Sequence, residues 1–207
     1  MGLFKDFISQ TRKPEGLMGK MMIKGMNPGH AKMADWGMSH ITAADPHEIT
    51  DLGCGGGRNA GALMKKFPGA HVTAVDYSEM SVAQAKEYNK DMIAAGRCTV
   101  RPGDVSSLDL EPMHYDLATA FETVYFWPGL EKCFSQVANI LKPGASFLIV
   151  NESDGLDEAG RKYEKMIDGM KVYTASEIEK ALKAAGFAEV SIYHHESKPW
   201  IAVLATK

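Results

Sequence analysis

The chain has 207 residues, 45% hydrophobic and 24% charged, with a formal net charge of −3. That is enough for one α/β domain with a sizeable core, and it speaks against a nucleic-acid binder held by overall positive charge. Cys54, Cys98 and Cys133 form no CxxC pair, so neither a disulfide framework nor a structural zinc site is expected, and no apolar run reaches the ~20 residues of a membrane span.

Three free thiols fit a reducing, cytoplasmic setting. The N-terminus has no signal-peptide core, and Asp6 stands where a myristoylation signal wants Ser or Thr, so neither secretion nor lipidation is expected.

Residues 1–44 stand apart from the rest and hold seven of the thirteen methionines. Leu3, Phe4, Phe7 and Ile8 fall on one side of a short helix, and a second helix is expected from Gly29 to Ile41, bearing Met33, Trp36 and His40. Methionine is flexible and polarizable, which suits an adaptable lid. The segment therefore reads as a helical cap over a site or as plain packing on the core, with residues 45–207 as the main domain.

A strand over Ile49–Leu52 runs into a bend with glycine at 53, 55, 56 and 57. The helix Arg58–Phe67 follows, its apolar stripe formed by Ala60, Leu63, Met64 and Phe67, and then the strand His71–Val75, which ends on Asp76. Glycine lets the backbone enter positive φ and lets a ligand approach main-chain atoms without meeting a Cβ. An acid at the tip of the next strand can accept hydrogen bonds from a ribose diol. The unit reads as a holder for an adenosine-bearing cofactor. Counted from Gly55, the sixth position is Ala60, so a dinucleotide fingerprint stays open on the glycine pattern alone.

Further along, Ser78 caps a helix that runs to about Ala95 and stops at Gly96. Strands follow at Cys98–Arg101 and Tyr115–Phe121. Leu130, Phe134, Val137 and Leu141 form a stripe on the helix before a fifth strand, Ala145–Val150. Residues 156–171 read as a charged helical insertion. Thr174-x-x-Glu177 is a capping box opening a helix with Ile178, Leu182 and Ala185 inward, ended by Gly186. Two strands close the chain, Ala188–His194 and Trp200–Ala205, around a Ser197-Lys-Pro199 turn. Such a terminal strand pair is not how a nicotinamide-binding domain ends.

The frame Asp51-x-Gly53-x-Gly55-x-Gly57 adds an acid two residues before the first glycine. Here the chain resembles the class I S-adenosylmethionine-dependent methyltransferases, over about residues 45–206. Four further landmarks carry the resemblance in order: Asp76-Tyr77-Ser78, Gly103-Asp104-Val105, Tyr115 to Phe121-Glu122, and Leu141-Lys-Pro-Gly144. The resemblance implies an α/β doubly wound, seven-stranded, mostly parallel sheet with a terminal antiparallel hairpin. It implies S-adenosyl-L-methionine as cofactor and S-adenosyl-L-homocysteine as product. It also implies roles along the glycine turn: Gly53, Gly55 and Gly57 cradle the cofactor, and Asp51 faces its ammonium. Its carboxylate lies by Arg58 and the helix start, and Asp76 takes the ribose. Tyr77 packs on the adenine, with Asp104 and Val105 at its edge.

Methyl transfer is an in-line displacement, so the remaining chemistry is alignment, desolvation and, for some acceptors, proton removal. Glu122, at the end of the fourth strand, is the first candidate for cofactor contact or base. Tyr125 and His30 are further catalytic candidates, and aromatic faces at Tyr125, Phe126 and Trp127 suit a sulfonium or an apolar substrate. No His-x-x-x-His or similar spacing supports a metal. The chain lacks an Asn/Asp-Pro-Pro-Tyr/Phe segment after the fourth strand and an arginine-rich arm. The expected partner is therefore a small-molecule acceptor, without nucleic acid or membrane, for a monomer or homodimer. A nucleic-acid or protein methyltransferase and a non-catalytic cofactor-binding protein remain as alternatives.

Overall fold

The computed structural model describes residues 30–43 and 45–207. The expected helix around Leu3–Ile8 and the methionines at 1, 18, 21, 22 and 26 lie outside them. The first described element is α1 (Ala31–Met38), within the helix expected at Gly29–Ile41.

The glycine-containing unit follows as β1 (Glu48–Leu52), α2 (Arg58–Lys66) and β2 (His71–Asp76). Next come α3 (Glu79–Tyr88), α4 (Lys90–Ala94) and β3 (Cys98–Pro102), then β4 (Tyr115–Phe121), α5 (Leu130–Ile140) and β5 (Leu141–Asn151). The chain closes with α6 (Glu158–Met166), α7 (Ala175–Ala184), β6 (Glu189–His194) and β7 (Ile201–Thr206). The seven strands form one sheet in the order β3-β2-β1-β4-β5-β7-β6. The first five are parallel, and β7 runs antiparallel between β5 and β6. This is the expected fold, terminal hairpin included.

Parallel strands buried on both faces divide the core into two layers. Phe147 and Ile149 of β5 pack with Phe134 of α5 and with Ile178 and Leu182 of α7 on one face. Their neighbours Leu148 and Val150 pack with α1, α2 and α3 on the other, as the two-residue period of a strand requires. A fully buried side chain such as Leu63 contributes about 1.5–3 kcal/mol. Helix α1 approaches the sheet closely at Gly37, where a Cβ would stand 2.3 Å from Val150 Cγ2.

Two boundaries differ from the sequence expectation. The helix expected to run from Ser78 to about Ala95 breaks at Asn89, whose buried side chain donates to the carbonyls of Gly57 (2.9 Å) and Ala85 (3.1 Å). A side chain that bonds main-chain groups competes with the helical ladder. Leu141 opens β5 instead of closing α5, and the register shifts between the Tyr115 and Leu117 pairings. The capping predictions hold: Ser78 accepts from the Ser81 amide, and Thr174 with Glu177 forms a reciprocal capping box.

Candidate functional site: a cavity at the strand tips

Because β1, β2 and β4 are parallel and adjacent, their C-terminal tips meet at one edge of the sheet. A cavity of about 250 Å³ opens there. The glycine bend, Asp76-Tyr77, Gly103–Val105, Phe121–Thr123 and Phe126–Pro128 form its walls, with His30 and Arg58 on the α1 side.

Three of the four glycines of the bend have positive φ, of 76°, 50° and 79° for Gly53, Gly55 and Gly57, but for different surroundings. A Cβ on Gly53 would strike Thr123 Oγ1 at 2.1 Å, and one on Gly57 would strike Asn89 and Ala85 below 3 Å. At Gly55 a Cβ would meet nothing within 4 Å, so that position is left open for a ligand. The bend is tied to β2 by hydrogen bonds from the Gly53 and Cys54 amides to Val75 O, at 2.8 and 3.0 Å. Helix α2 begins directly after it with no side-chain cap, leaving its first amides to favour an anion.

Asp76 is buried and fixed from both sides: Oδ2 accepts from the Gly55 amide and Oδ1 from the Ser78 amide, each at 2.9 Å. Burial pushes its carboxyl up, and these amides pull it back. Asp51, although two residues from the bend, is not on the cavity wall. It is buried in β1, accepts from Thr119 Oγ1 at 2.9 Å, and its Oδ2 has no partner. Burial raises its carboxyl to about 7, the Thr119 hydroxyl lowers it, and the nearby Asp76 charge raises it further. An orphaned acid oxygen behind the glycine bend fits a cationic ligand group or a retained proton.

Glu122 follows β4 and carries a φ of 57°, rare for a residue with a Cβ and of a kind that concentrates at functional sites. Its Oε1 accepts from the Glu152 amide and, at 3.1 Å, from the Tyr125 hydroxyl. Burial drives its carboxyl to about 8; those two donors act against the shift, and the Glu152 charge adds to it. Tyr125 accepts from the Ser153 amide at 3.2 Å, and burial with the neighbouring Glu122 keeps its phenol protonated. His30 Nε2 stands 3.6 Å from Glu152 Oε2.

Of the residues singled out in the sequence, Gly53, Gly55, Arg58, Asp76, Tyr77, Asp104, Val105, Glu122 and His30 share this cavity, whereas Gly57 packs against Asn89 and Ala85 and does not line it. Asp51 and Tyr125 lie behind its walls. Arg58 spends its guanidinium on α1, with Nη2 2.7 Å from both Asp35 carboxylate oxygens and Nη1 3.5 Å from Ala31 O. Asp104 spends one oxygen on the Ser106 amide, at 2.8 Å. Sequence reasoning missed Asn89, which pins Gly57, Thr123, which packs against Gly53, and Glu152 beside Glu122. Only Thr123 and Glu152 carried a signal, since each lies just past the end of a central strand.

Comparisons with known proteins agree with this geometry. Residues 49–144 match a family model described as a methyltransferase domain. A methyltransferase-titled structure from Aquifex aeolicus superposes with a TM-score of 0.76 at 19% identity, covering 90% of this chain and 97% of that one. Residues 49–144 thus match a methyltransferase domain, and the chain has the fold of the S-adenosylmethionine-dependent methyltransferases. Human N-acetylserotonin methyltransferase, solved with S-adenosylmethionine, shares the methyltransferase fold with a TM-score of 0.76 at 18% identity, over 92% of this chain and 56% of that one.

Among curated proteins, a sterol methyltransferase-like protein of Botryococcus braunii is 30% identical over 68% of this chain and 38% of its own length. The sterol 24-C-methyltransferase of Saccharomyces cerevisiae is 29% identical over 67% and 38%. The chain thus spans less than half the length of these curated relatives. Among its described residues, no helix is long and apolar enough to cross a membrane.

Proposed function

We propose that the protein binds S-adenosyl-L-methionine in this cavity and transfers its methyl group to a small-molecule acceptor, releasing S-adenosyl-L-homocysteine. The observation that carries the reading is the pairing of Asp76 with the open Gly55 position. An anchored carboxylate and unobstructed backbone lie on one cavity wall, as an adenosine diol and an amino-acid tail require. The sterol-methylating relatives support a small acceptor.

When bound, the cofactor supplies a sulfonium-activated methyl carbon. The chain's own residues do the rest. Asp76 orients the ribose, and the uncapped start of α2 takes the carboxylate. Asp51, through its free oxygen, favours the ammonium at the back of the bend. Tyr77, Asp104 and Val105 frame the adenine. Phe126 and Trp127, on the opposite wall, exclude water and present aromatic faces to positive charge. Glu122, once ionised, is placed to accept a proton from an acceptor O–H or N–H, and the burial that drives its carboxyl to about 8 makes it a stronger base than an ordinary glutamate. Tyr125 and the Glu152 amide fix its orientation. His30 is the second group able to hold that proton.

Of the cap expected over residues 1–44, the described part, residues 30–43, acts as a cover on the cavity. The reading is supported by α1 lying against β5, by His30 on the cavity wall, and by Arg58 joining α1 to the start of α2. A cytoplasmic setting is supported by three buried, unpaired thiols, and a nucleic-acid partner is disfavoured by the net charge of −3.

Parallel calorimetric titrations with S-adenosylmethionine and NADH test the cofactor, and an acceptor screen reading homocysteine tests the transfer. Binding of the first alone, with acceptor-dependent turnover, is the expected result. NADH binding in its place would overturn the reading.

A further inference from the structure

The acceptor side of the cavity gathers three groups that no local sequence pattern connects. His30 precedes α1, Glu122 follows β4, and Glu152 follows β5. Each offers one ligand-type atom, and these atoms all lie within 4.8 Å of one another. Among the described residues this is the only such trio of histidine, cysteine or acid side chains. His30 and Glu122 line the cavity, while Glu152 stands at the rim with its side chain 55% exposed.

Two carboxylates brought this close repel when both are ionised, and among cations a divalent ion between them relieves that repulsion most strongly. First-row metals bind nitrogen and oxygen at about 2.0–2.2 Å, which places adjacent ligands about 3 Å apart. The His30–Glu152 separation of 3.6 Å is already near that value. The remaining closure, on the order of 1–2 Å, lies within the reach of side-chain rotation at the exposed Glu152. Glu122 is held from behind by the Tyr125 hydroxyl and the Glu152 amide, the kind of outer support that orients a ligating carboxylate.

We propose that His30, Glu122 and Glu152 form a binding site for one divalent transition-metal ion at the mouth of the cavity. One imidazole with two carboxylates suits manganese, iron(II), cobalt or zinc better than magnesium or calcium, which prefer oxygen alone. Three protein ligands leave coordination positions for water or for donor atoms of an acceptor. The ion binds and orients and takes part in no redox step. With the ion bound, Glu122 and His30 serve as ligands and not as proton acceptors, so the site is read by metal binding itself and not by turnover.

The full chain is titrated with Mn2+ while the signal of the free ion is followed by electron paramagnetic resonance, with Mg2+ as the all-oxygen control. Saturable binding of one Mn2+ per chain is expected, with Mg2+ at least about tenfold weaker. Glu152→Gln and His30→Ala should each weaken Mn2+ binding by about tenfold or more, the usual scale for altering a metal site. Melting without metal should stay unchanged, because both side chains are partly exposed. No saturable Mn2+ binding, or undiminished binding in either variant, would overturn the site. Calorimetry with S-adenosylmethionine on the same samples reports separately on the cofactor reading.

Discussion

The wall built from β1 and β2 and the wall built from the ends of β4 and β5 meet around one cavity but manage charge in opposite ways. On the first, Asp76 is satisfied by two backbone amides, and the bend is held by main-chain bonds to Val75. On the second, Glu122 sits at positive φ with a carboxyl near 8, beside Glu152 and His30. A cofactor that keeps its shape can be met by fixed backbone. Reacting groups have to be met by side chains whose protonation is free to change. Asp51 belongs to the first wall by sequence and to the second by its electrostatics, because burial leaves one of its oxygens without a partner.

The sharpest way to break this comparison is within the glycine bend. Gly53→Ala should cost about 3–5 kcal/mol of stability, combining left-handed strain with the clash on Thr123. Gly55→Ala should cost only about 1–2 kcal/mol, since its Cβ meets no protein atom, yet weaken S-adenosylmethionine binding by more than Gly55's share of stability. Thermal melts and calorimetry on both variants separate the two effects. Equal losses of stability would remove Gly55 from the ligand wall.

Next in size is Asp51→Asn in the cofactor-free protein. Native Asp51 keeps its proton to about pH 7, whereas an unfolded aspartate loses it near 4, so the native state binds more protons in between. The stability tied to this carboxyl is fully present below about pH 4 and lost as pH rises through about 7. Asn cannot ionise, so the variant should gain about 3–4 kcal/mol on the wild type between pH 4 and pH 8. Urea denaturation at several pH values reads this directly, and a constant difference would mean that Asp51 is ionised in the native state.

Asp76→Ala should weaken S-adenosylmethionine tenfold or more, on the order of 1.4 kcal/mol, while NADH remains a non-ligand. Unchanged affinity in a folded variant would take Asp76 out of the site. The smallest effect is expected at the seat of α1. Asp35 is 56% exposed, so Asp35→Ala should lower stability by less than about 1 kcal/mol. A melting shift far beyond that would make the Arg58 pair a principal anchor of the cap.

The wall built from β1 and β2 was legible because its parts are close in sequence and obey local rules. The bend needs glycine, the following helix shows its stripe, and the next strand ends on an acid. The break at Asn89 was not legible, since it depends on a carbonyl 32 residues away at Gly57. The wall at the ends of β4 and β5 was half legible. Glu122 stood out at a strand end, but its meeting with Glu152 and His30 depends on residues 30 to 122 positions apart.

The amino-acid sequence by itself determined the order of strands and helices, the positive-φ bend and the acid beyond it, because backbone preference and hydrophobic period act over a few residues. Tertiary structure alone decided which charges share a cavity. It turned Asp51 inward against Thr119, gave Arg58 to Asp35, and brought Glu152 beside Glu122. Burial and long-range strand pairing set those environments, and no local stretch of chain specifies either.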